Sequence, residues 1–204
     1  MVRVVPFVSI GFKLRLFLIL GDPMPRPPRR DAQQNMTRLR EAALRIFMAQ
    51  GIDAPLEDVA RAAGVSIGTL YNHFGNRQRL LDEVLPQAAL AQLARIQTSV
   101  AAEKDPHARL VRYIEEVATI QATDRLLSDA LARLPSLPDD AAHACSEVME
   151  LGQRLVAEAR RSIPSVFLDE NSLAALVLAN STVQRSGPPA GWDELVIALA
   201  RAHR

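Results

Sequence analysis

Residues 64–81 read GVSIGTLYNHFGNRQRLL, and four polar side chains crowd the middle of this short stretch. These are Thr69, Tyr71, Asn72 and His73. Ser66 can cap a helix running to about Phe74, because its hydroxyl can accept hydrogen bonds from free amides of the first turn. Leu70 and Phe74 are four residues apart, so they share one face of that helix and should point into a core. We therefore expect Thr69, Asn72 and His73 to lie toward the opposite side.

Two amphipathic helices precede this stretch. In TRLREAALRIFMAQG, apolar residues recur at three- to four-residue spacing, which predicts a helix that ends at Gly51. Pro55 opens the second helix, PLEDVARAAG, and Gly64 ends it with a left-handed turn. The second and third helices then have helix-turn-helix spacing. In that motif the exposed side of the second of the two helices enters the major groove of DNA.

The polar residues suit this role chemically. Asn72 can pair through two hydrogen bonds with an adenine edge, and Thr69 offers a hydroxyl and a methyl group. Tyr71 and His73 can reach phosphate oxygens. Taken singly, each could instead be an ordinary surface residue, and their place in LYNHF is what favours a DNA contact.

A fourth helix begins beside this segment. Asn76 can cap it, and its first turn presents Arg77 and Arg79, whose guanidinium groups suit a phosphate, as do the free amides there. Arg79 is the weaker candidate, because it is equally explained as a solvated helix residue.

The ordered segments AALRIF, EDVARAAGVS, GTLYNHF and RQRLL, with Gly51 after the first, resemble the DNA-binding domain of the TetR/AcrR family of bacterial transcription regulators. The resemblance covers residues 37–85. It implies an all-α fold with an N-terminal three-helix DNA-binding domain containing the helix-turn-helix, followed by a helical ligand-binding and dimerisation domain. It also implies a homodimer that binds a double-stranded DNA operator and represses transcription until a small-molecule effector binds. The DNA-contacting residues would be Thr37, Arg38, Ser66, Ile67, Gly68, Thr69, Tyr71, Asn72, His73 and Arg77.

The chain departs from the family pattern at three points. Family members often open the second helix with Ser or Thr, whereas this chain has Ala54 and Pro55, so only Asp58 of the capping box remains. Ile67 stands where the family often has Lys, which removes a phosphate contact, although Ile67 could touch a thymine methyl group. Arg77 stands at the position of a phosphate-binding family lysine, so its role should be preserved.

The N-terminal region differs in charge and composition from the rest. Residues 1–40 hold eight basic and two acidic residues, giving +6, which leaves −5 for the remainder of a chain whose net charge is +1. Such asymmetry favours an N-terminal region that binds a polyanion, although a solvated basic tail would have the same charge. No alanine precedes Ala32. The segment MPRPPRRDAQQN, residues 24–35, has the composition of a flexible basic arm.

The apolar run from Pro6 to Leu20 admits three interpretations. It is shorter than the ~20 residues of a membrane-spanning helix and contains Lys13 and Arg15. It could be a stretch added by an early start codon, a weak membrane-surface anchor, or an ordinary extension. The first is favoured, with the true start at Met24 or Met36. The anchor supports an alternative function, that of a membrane-associated helical sensor or adaptor.

The sequence predicts three regions: an extension over residues 1–35, the helix-turn-helix domain over 36–82, and the helical larger domain over 83–204. The fourth helix should kink or break at Pro86. Further helices are predicted after Pro106, over DRLLSDALARL, and from about Asp139 to Ile163. The last two helices are ENSLAALVLANSTVQR, which Asp169 can cap, and WDELVIALARAHR. No periodic strand pattern occurs.

The last two helices are the predicted dimer surface, because a helix as apolar as LAALVLA must be covered. Alternatively, these residues fill the core of the subunit. The candidates are Leu173, Leu176, Val177, Trp192, Leu195 and Leu199.

Other chemistry finds little support in the sequence. A single cysteine, Cys145, suits a reducing compartment and a cytoplasmic location. His107, His143 and His203 are scattered without a partner at metal-ligand spacing, so we expect no enzyme, metal site or cofactor. Polar residues within apolar helices are either pocket-lining groups or satisfied core groups, and their spacing does not distinguish the two. They are Tyr113, Gln121, Asn180 and Thr182.

Overall fold

The computed structural model describes residues 29–133, 136–137 and 139–202, and only the backbone of residues 29 and 30. These ranges fold into α-helices, which confirms the predicted all-α class. The helices are α1 (Arg29–Gln50), α2 (Leu56–Ala63), α3 (Ile67–Phe74), α4 (Arg77–Ala101), α5 (Pro106–Thr123), α6 (Arg125–Ala132), α7 (Asp139–Ser162), α8 (Glu170–Ser186) and α9 (Trp192–Arg201).

Residues Asn35–Arg204 form one compact unit, and the division at residues 82 and 83 stays a prediction. The apolar run, Met24 and the postulated membrane anchor lie outside the described residues. No helix within the described ranges is long and apolar enough to cross a membrane. The flexible basic arm was predicted to extend to Asn35. Its predicted C-terminal end was wrong, because α1 already begins at Arg29. Between Pro28 and Gly51 the sequence holds no glycine or proline, and Asp31 in the first turn suits a helix N-terminus.

Local signals set the ends of the short helices as predicted. Gly64 is left-handed, with φ +69°, and its amide donates back to carbonyls of α2. The Ser66 and Asn76 side chains accept from the amides of Thr69 and Arg79, capping α3 and α4. No side chain caps α2, as the substitution by Pro55 led us to expect.

The fourth helix does not break at Pro86, because α4 runs without interruption through this residue. The expected break was therefore wrong, and a kink stays a prediction. A proline removes one intrahelical hydrogen bond, but the apolar residues on both sides of Pro86 are buried, and their packing outweighs that loss. Val84, Leu85, Ala89 and Leu93 are all buried.

Helix α7 packs against both α4 and α5 in the centre of the larger region. Tyr113 of α5 is completely buried, and its hydroxyl donates to the Val148 carbonyl of α7 at 2.9 Å. Burial raises the pKa of this phenol. Gly152 leaves room for the ring, since a Cβ there would lie 2.6 Å from three of its atoms.

A buried polar network connects α5 to the last two helices. The Gln121 amide nitrogen donates to the Val177 carbonyl at 2.8 Å and to the Ser181 hydroxyl. The Asn180 amide donates to Gln121 Oε1 at 2.6 Å, and the Trp192 indole donates to Asn180 Oδ1 at 2.7 Å. Gln121 and Asn180 are thus satisfied core groups. Tyr113 has its own partner on α7, and Thr182 is exposed on α8.

The candidate dimer residues divide between the core and the surface. Leu173 and Val177 are buried within the chain and fill its core, which is the alternative that the sequence left open, so these two do not form a dimer surface. Leu195 is 48% exposed, whereas Leu176, Trp192 and Leu199 are half-buried. Leu178, which was not among the predicted dimer residues, is 52% exposed on α8. Because LAALVLA is apolar on every side, its sequence does not show which face the subunit itself covers.

Candidate nucleic-acid interface

The third helix is short and fixed at both ends. The Ser66 hydroxyl accepts from the Thr69 amide at 3.1 Å and lies 2.9 Å from the Thr69 hydroxyl. At the other end, the Gly75 amide donates to the Tyr71 carbonyl at 2.8 Å. Leu70 and Phe74 are buried, as predicted, so the rotation of α3 about its axis is set by the core.

This rotation turns three of the predicted contact residues outward. Asn72 and Gly68 are exposed, and Tyr71 is 47% exposed. Gly68 has no side chain and only Ser66 Oγ near its Cβ position, at 3.7 Å, so a ligand could approach its backbone closely. These residues form a polar surface on α3 that has the donors and acceptors to meet base edges.

Other predicted contacts on α3 are less accessible. Ile67 is half-buried and packs against the core. Thr69 is half-buried, and its hydroxyl lies within hydrogen-bonding distance of Ser66. His73 is half-buried with its ring centroid 6.4 Å from that of Phe74. Ser66 itself is exposed. Ser66 and Thr69 therefore stabilise the start of α3, and any contact with DNA would be in addition to that role.

Two of the predicted contacts lie on α1. Thr37 and Arg38 are exposed there, and Arg38 Nη2 donates to Asn35 Oδ1 at 2.5 Å. An exposed guanidinium on a helix that precedes the motif can contact a phosphate without reading sequence.

Arg77 has a structural role that the sequence did not show. Its Nη1 donates to the carbonyls of Ile52 and Ala54 at 2.7 and 2.6 Å, in the turn between α1 and α2. Arg77 is half-buried, so its contact with phosphate stays a prediction, and Arg79 is the exposed arginine of that first turn. The same turn meets Asp129 of α6, which accepts from the Ile52 amide at 3.2 Å. Seventy-seven residues separate these two positions, and no sequence pattern connects them.

A groove of about 840 Å³ lies between α5 and α9, away from the interior of the larger region. Its floor is formed by small and apolar residues, including Ala118, Ala122 and Ile197, and Glu115 and Arg201 pair at 2.9 Å at its edge. Two internal cavities, one beside Tyr113 and Gln121 and one beside Cys145, measure about 10 Å³ each. Ligand pockets for drug-sized molecules are typically ~300–1,000 Å³, so the groove is of that size and these cavities are not.

Helix α3 is capped, has an exposed polar face and is joined to α2 through a glycine turn. Together with the larger helical region that follows, this arrangement defines a helix-turn-helix protein. Residues 39–84 match the family model of bacterial regulatory proteins, tetR family. This part of the chain is therefore similar to that family.

Curated relatives and solved structures extend this assignment. The chain is 41% identical over 63 residues to the HTH-type transcriptional regulator SrpR of Pseudomonas putida, a match covering 30% of each protein. It is 29% identical over 180 residues to the HTH-type transcriptional regulator TtgR, also of Pseudomonas putida, covering 87% of this chain and 79% of that one. The matches to SrpR, TtgW and AcrR each span less than half of the relative's length. The structure of the regulator FadR from Bacillus subtilis, in complex with stearoyl-CoA, superposes with a TM-score of 0.59 at 15% identity, over 81% of this chain and 96% of that one. At that identity the likeness shows a shared fold.

Proposed function

We propose that this protein is a homodimeric, ligand-responsive repressor of transcription that acts in the bacterial cytoplasm. The observation that carries the proposal is the outward polar face of α3, held by a core-directed Leu70 and Phe74. In a dimer, two such helices would enter successive major grooves about 34 Å apart. Asn72 and the Gly68 backbone would read base edges, whereas Arg38, Tyr71 and Arg79 would hold the phosphates.

The proposal predicts two kinds of contact with different consequences. A base-reading residue contributes to sequence choice, whereas a phosphate-binding residue contributes to affinity for every duplex and to the salt dependence. We expect Asn72→Ala to cost about 1–3 kcal/mol of discrimination at one base pair. Arg79→Ala should weaken all duplexes alike and make the dependence on salt less steep.

The experiment begins with selection of genomic fragments bound by the purified full-length protein. Fluorescence anisotropy at several salt concentrations then compares the selected duplex with a shuffled one. Gln153→Ala, a change at an exposed amide side chain on α7, is the matched control and should bind like wild type. If the wild-type protein binds no duplex in a salt-dependent manner, the proposed function is wrong.

Dimerisation through α8 and α9 is supported by the exposed Leu178 and Leu195. Large apolar side chains left half-exposed on two terminal helices are typical of a surface that another chain covers. We expect the double substitution Leu178→Glu and Leu195→Glu to yield a monomer in light scattering after size exclusion. Leu90→Glu on α4, at a leucine 47% exposed, serves as the control and should leave the dimer intact. A monomeric wild-type protein would contradict this part of the proposal.

The response to a small molecule is proposed from the family fold, of which one solved example, FadR of Bacillus subtilis, holds stearoyl-CoA. An effector can release DNA only if it binds the DNA-free conformation more tightly than the bound one. A compound screen that follows release of the labelled selected duplex tests this directly. A releasing compound should also raise the Tm of the DNA-free protein, because it binds the folded state.

A further inference from the structure

The turn between α1 and α2, residues Gly51–Pro55, is held by groups from distant parts of the chain. Asp129 of α6 accepts from the Ile52 amide at 3.2 Å, and Arg133, directly after the same helix, donates to Asp53 at 2.6 Å. Arg77 of α4 donates to two carbonyls of the turn. This five-residue segment is therefore held by α4, by α6 and by the residue that follows α6.

Asp129 is the central contact of this arrangement. Its side chain is only 8% exposed, and its second oxygen lies 3.5 Å from Arg185 of α8, in a long ion pair at the limit of a hydrogen bond. The Ile52 amide is thus its close partner. Gly51 has φ +91°, and a Cβ there would lie 2.3 Å from Asp129 Oδ2. The carboxylate therefore occupies the space that any side chain at Gly51 would need.

The contact from Arg133 is of a different kind. Asp53 is 70% exposed, so this ion pair is open to solvent and contributes little to stability. Its hydrogen bond holds the pKa of Asp53 below its ordinary value. The buried Asp129 contact and the exposed Arg133 contact join the same two parts of the chain, and the buried one is the firmer of the two.

We propose that Asp129 is a positioning residue that fixes the helix-turn-helix to α6 through the Ile52 amide, and so sets the spacing of the two recognition helices. A buried carboxylate that relies on one amide and a long ion pair is a weak source of stability. Its geometric effect is larger, because α1 and α2 both start or end at the turn it holds, and α3 follows α2 after a three-residue turn. Displacement of α6 would then move α3 with the turn. The inference rests on the proposed function, since spacing matters only for a dimer on DNA.

Hydrogen exchange tests the contact without DNA. In full-length Asp129→Ala, the amides of the α1–α2 turn should exchange about tenfold faster, because a hydrogen bond to a charged acceptor is lost. Asp129→Asn keeps an oxygen that can accept from the Ile52 amide and should restore slow exchange. Val156→Ala, at a fully buried position on α7, is the control for general loss of stability and should leave the turn protected. Unchanged exchange in Asp129→Ala would overturn the inference.

Operator spacing tests the consequence. One base pair inserted between the half-sites of the selected duplex rotates them relative to each other by about a tenth of a turn. Wild type should bind the inserted duplex more weakly than the native one. We expect this discrimination to fall about fivefold or more in Asp129→Ala, and to be retained in Asp129→Asn and Val156→Ala.

The outcomes separate the two proposals. If wild type binds no duplex, the proposed function fails, and hydrogen exchange still decides whether Asp129 holds the turn. If wild type discriminates spacing and Asp129→Ala does so equally well, the positioning role is refuted. Loss of discrimination in Val156→Ala as well would assign the effect to stability and also refute it.

Discussion

Gly152 of α7 should tolerate no methyl group, although alanine is the better helix former. A Cβ at this position would lie 2.6 Å from each of Cε1, Cζ and the hydroxyl oxygen of Tyr113. The ring has no free direction in which to move, because it is completely buried and its hydroxyl is bound to the Val148 carbonyl. We therefore expect Gly152→Ala to lower the free energy of unfolding.

Two opposing effects set the size of this change. Overpacking a core costs typically about 1–3 kcal/mol, and three overlapping contacts with an anchored ring place Gly152→Ala near the upper end. Replacing glycine by alanine inside a helix contributes about 1 kcal/mol in the other direction. The difference is a loss of roughly 2 kcal/mol, or a fall in Tm of about 4–8 °C for a chain of this length.

Urea unfolding followed by far-UV circular dichroism measures this difference. Gly68→Ala on α3 is the control, because its Cβ would meet only Ser66 Oγ at an ordinary 3.7 Å. Its stability should equal or slightly exceed that of wild type, while its methyl group should weaken DNA binding by obstructing close approach. If Gly152→Ala is as stable as wild type, Tyr113 is not held rigidly between α5 and α7, and the reasoning fails.

Three further predictions concern Arg77, Cys145 and Asp82. Arg77→Ala should lose about 2 kcal/mol of unfolding free energy in urea titrations, because two charge-assisted hydrogen bonds to the α1–α2 turn disappear; weaker DNA binding at unchanged stability would instead assign Arg77 to phosphate alone. Burial raises the pKa of the Cys145 thiol to about 11, so iodoacetamide should label it only after unfolding, and rapid labelling of native protein would contradict this. Burial and the nearby charges of Asp140 and Asp139 raise the pKa of Asp82 above its ordinary value of 3.8. Its protonated form therefore stabilises the fold at pH values below 3.8, and this contribution is lost as the pH rises through the raised pKa. Asp82→Asn should therefore gain about 0.5 kcal/mol at neutral pH, with no gain in strongly acid solution; equal Tm values at neutral pH would refute this.

Features decided by neighbouring residues could be predicted from the sequence. The caps Ser66, Asn76 and Asp169 each accept from an amide three residues ahead, which is a relation visible in the chain itself. The inward direction of Leu70 and Phe74 follows from their four-residue spacing. For this reason the helix-turn-helix and its exposed Asn72 were predicted correctly.

Features decided by distant residues could not be predicted in this way. Arg77 was expected to bind phosphate, and only the fold shows that two carbonyls more than twenty residues earlier accept from it. Val177 and Leu178 are neighbours with similar hydrophobicity, yet one is buried and the other exposed, because the subunit covers one side of α8. Periodicity gives the apolar content of a helix, whereas its packing partners decide which face stays open.

The buried network from Trp192 to Val177 can be written in one direction only. An indole nitrogen donates and never accepts, so Trp192 fixes the oxygen of Asn180 toward itself and thereby turns the Asn180 nitrogen toward Gln121. Gln121 then accepts from Asn180 through its oxygen, so its nitrogen faces the α8 backbone. One aromatic ring on the last helix and one backbone carbonyl on α8 thus impose the same orientation on the two amide side chains between them, because the Val177 carbonyl can only accept. Replacing that ring with phenylalanine would leave Asn180 Oδ1 without this donor, while the Val177 carbonyl would still hold the Gln121 nitrogen, so the direction of the network would be retained.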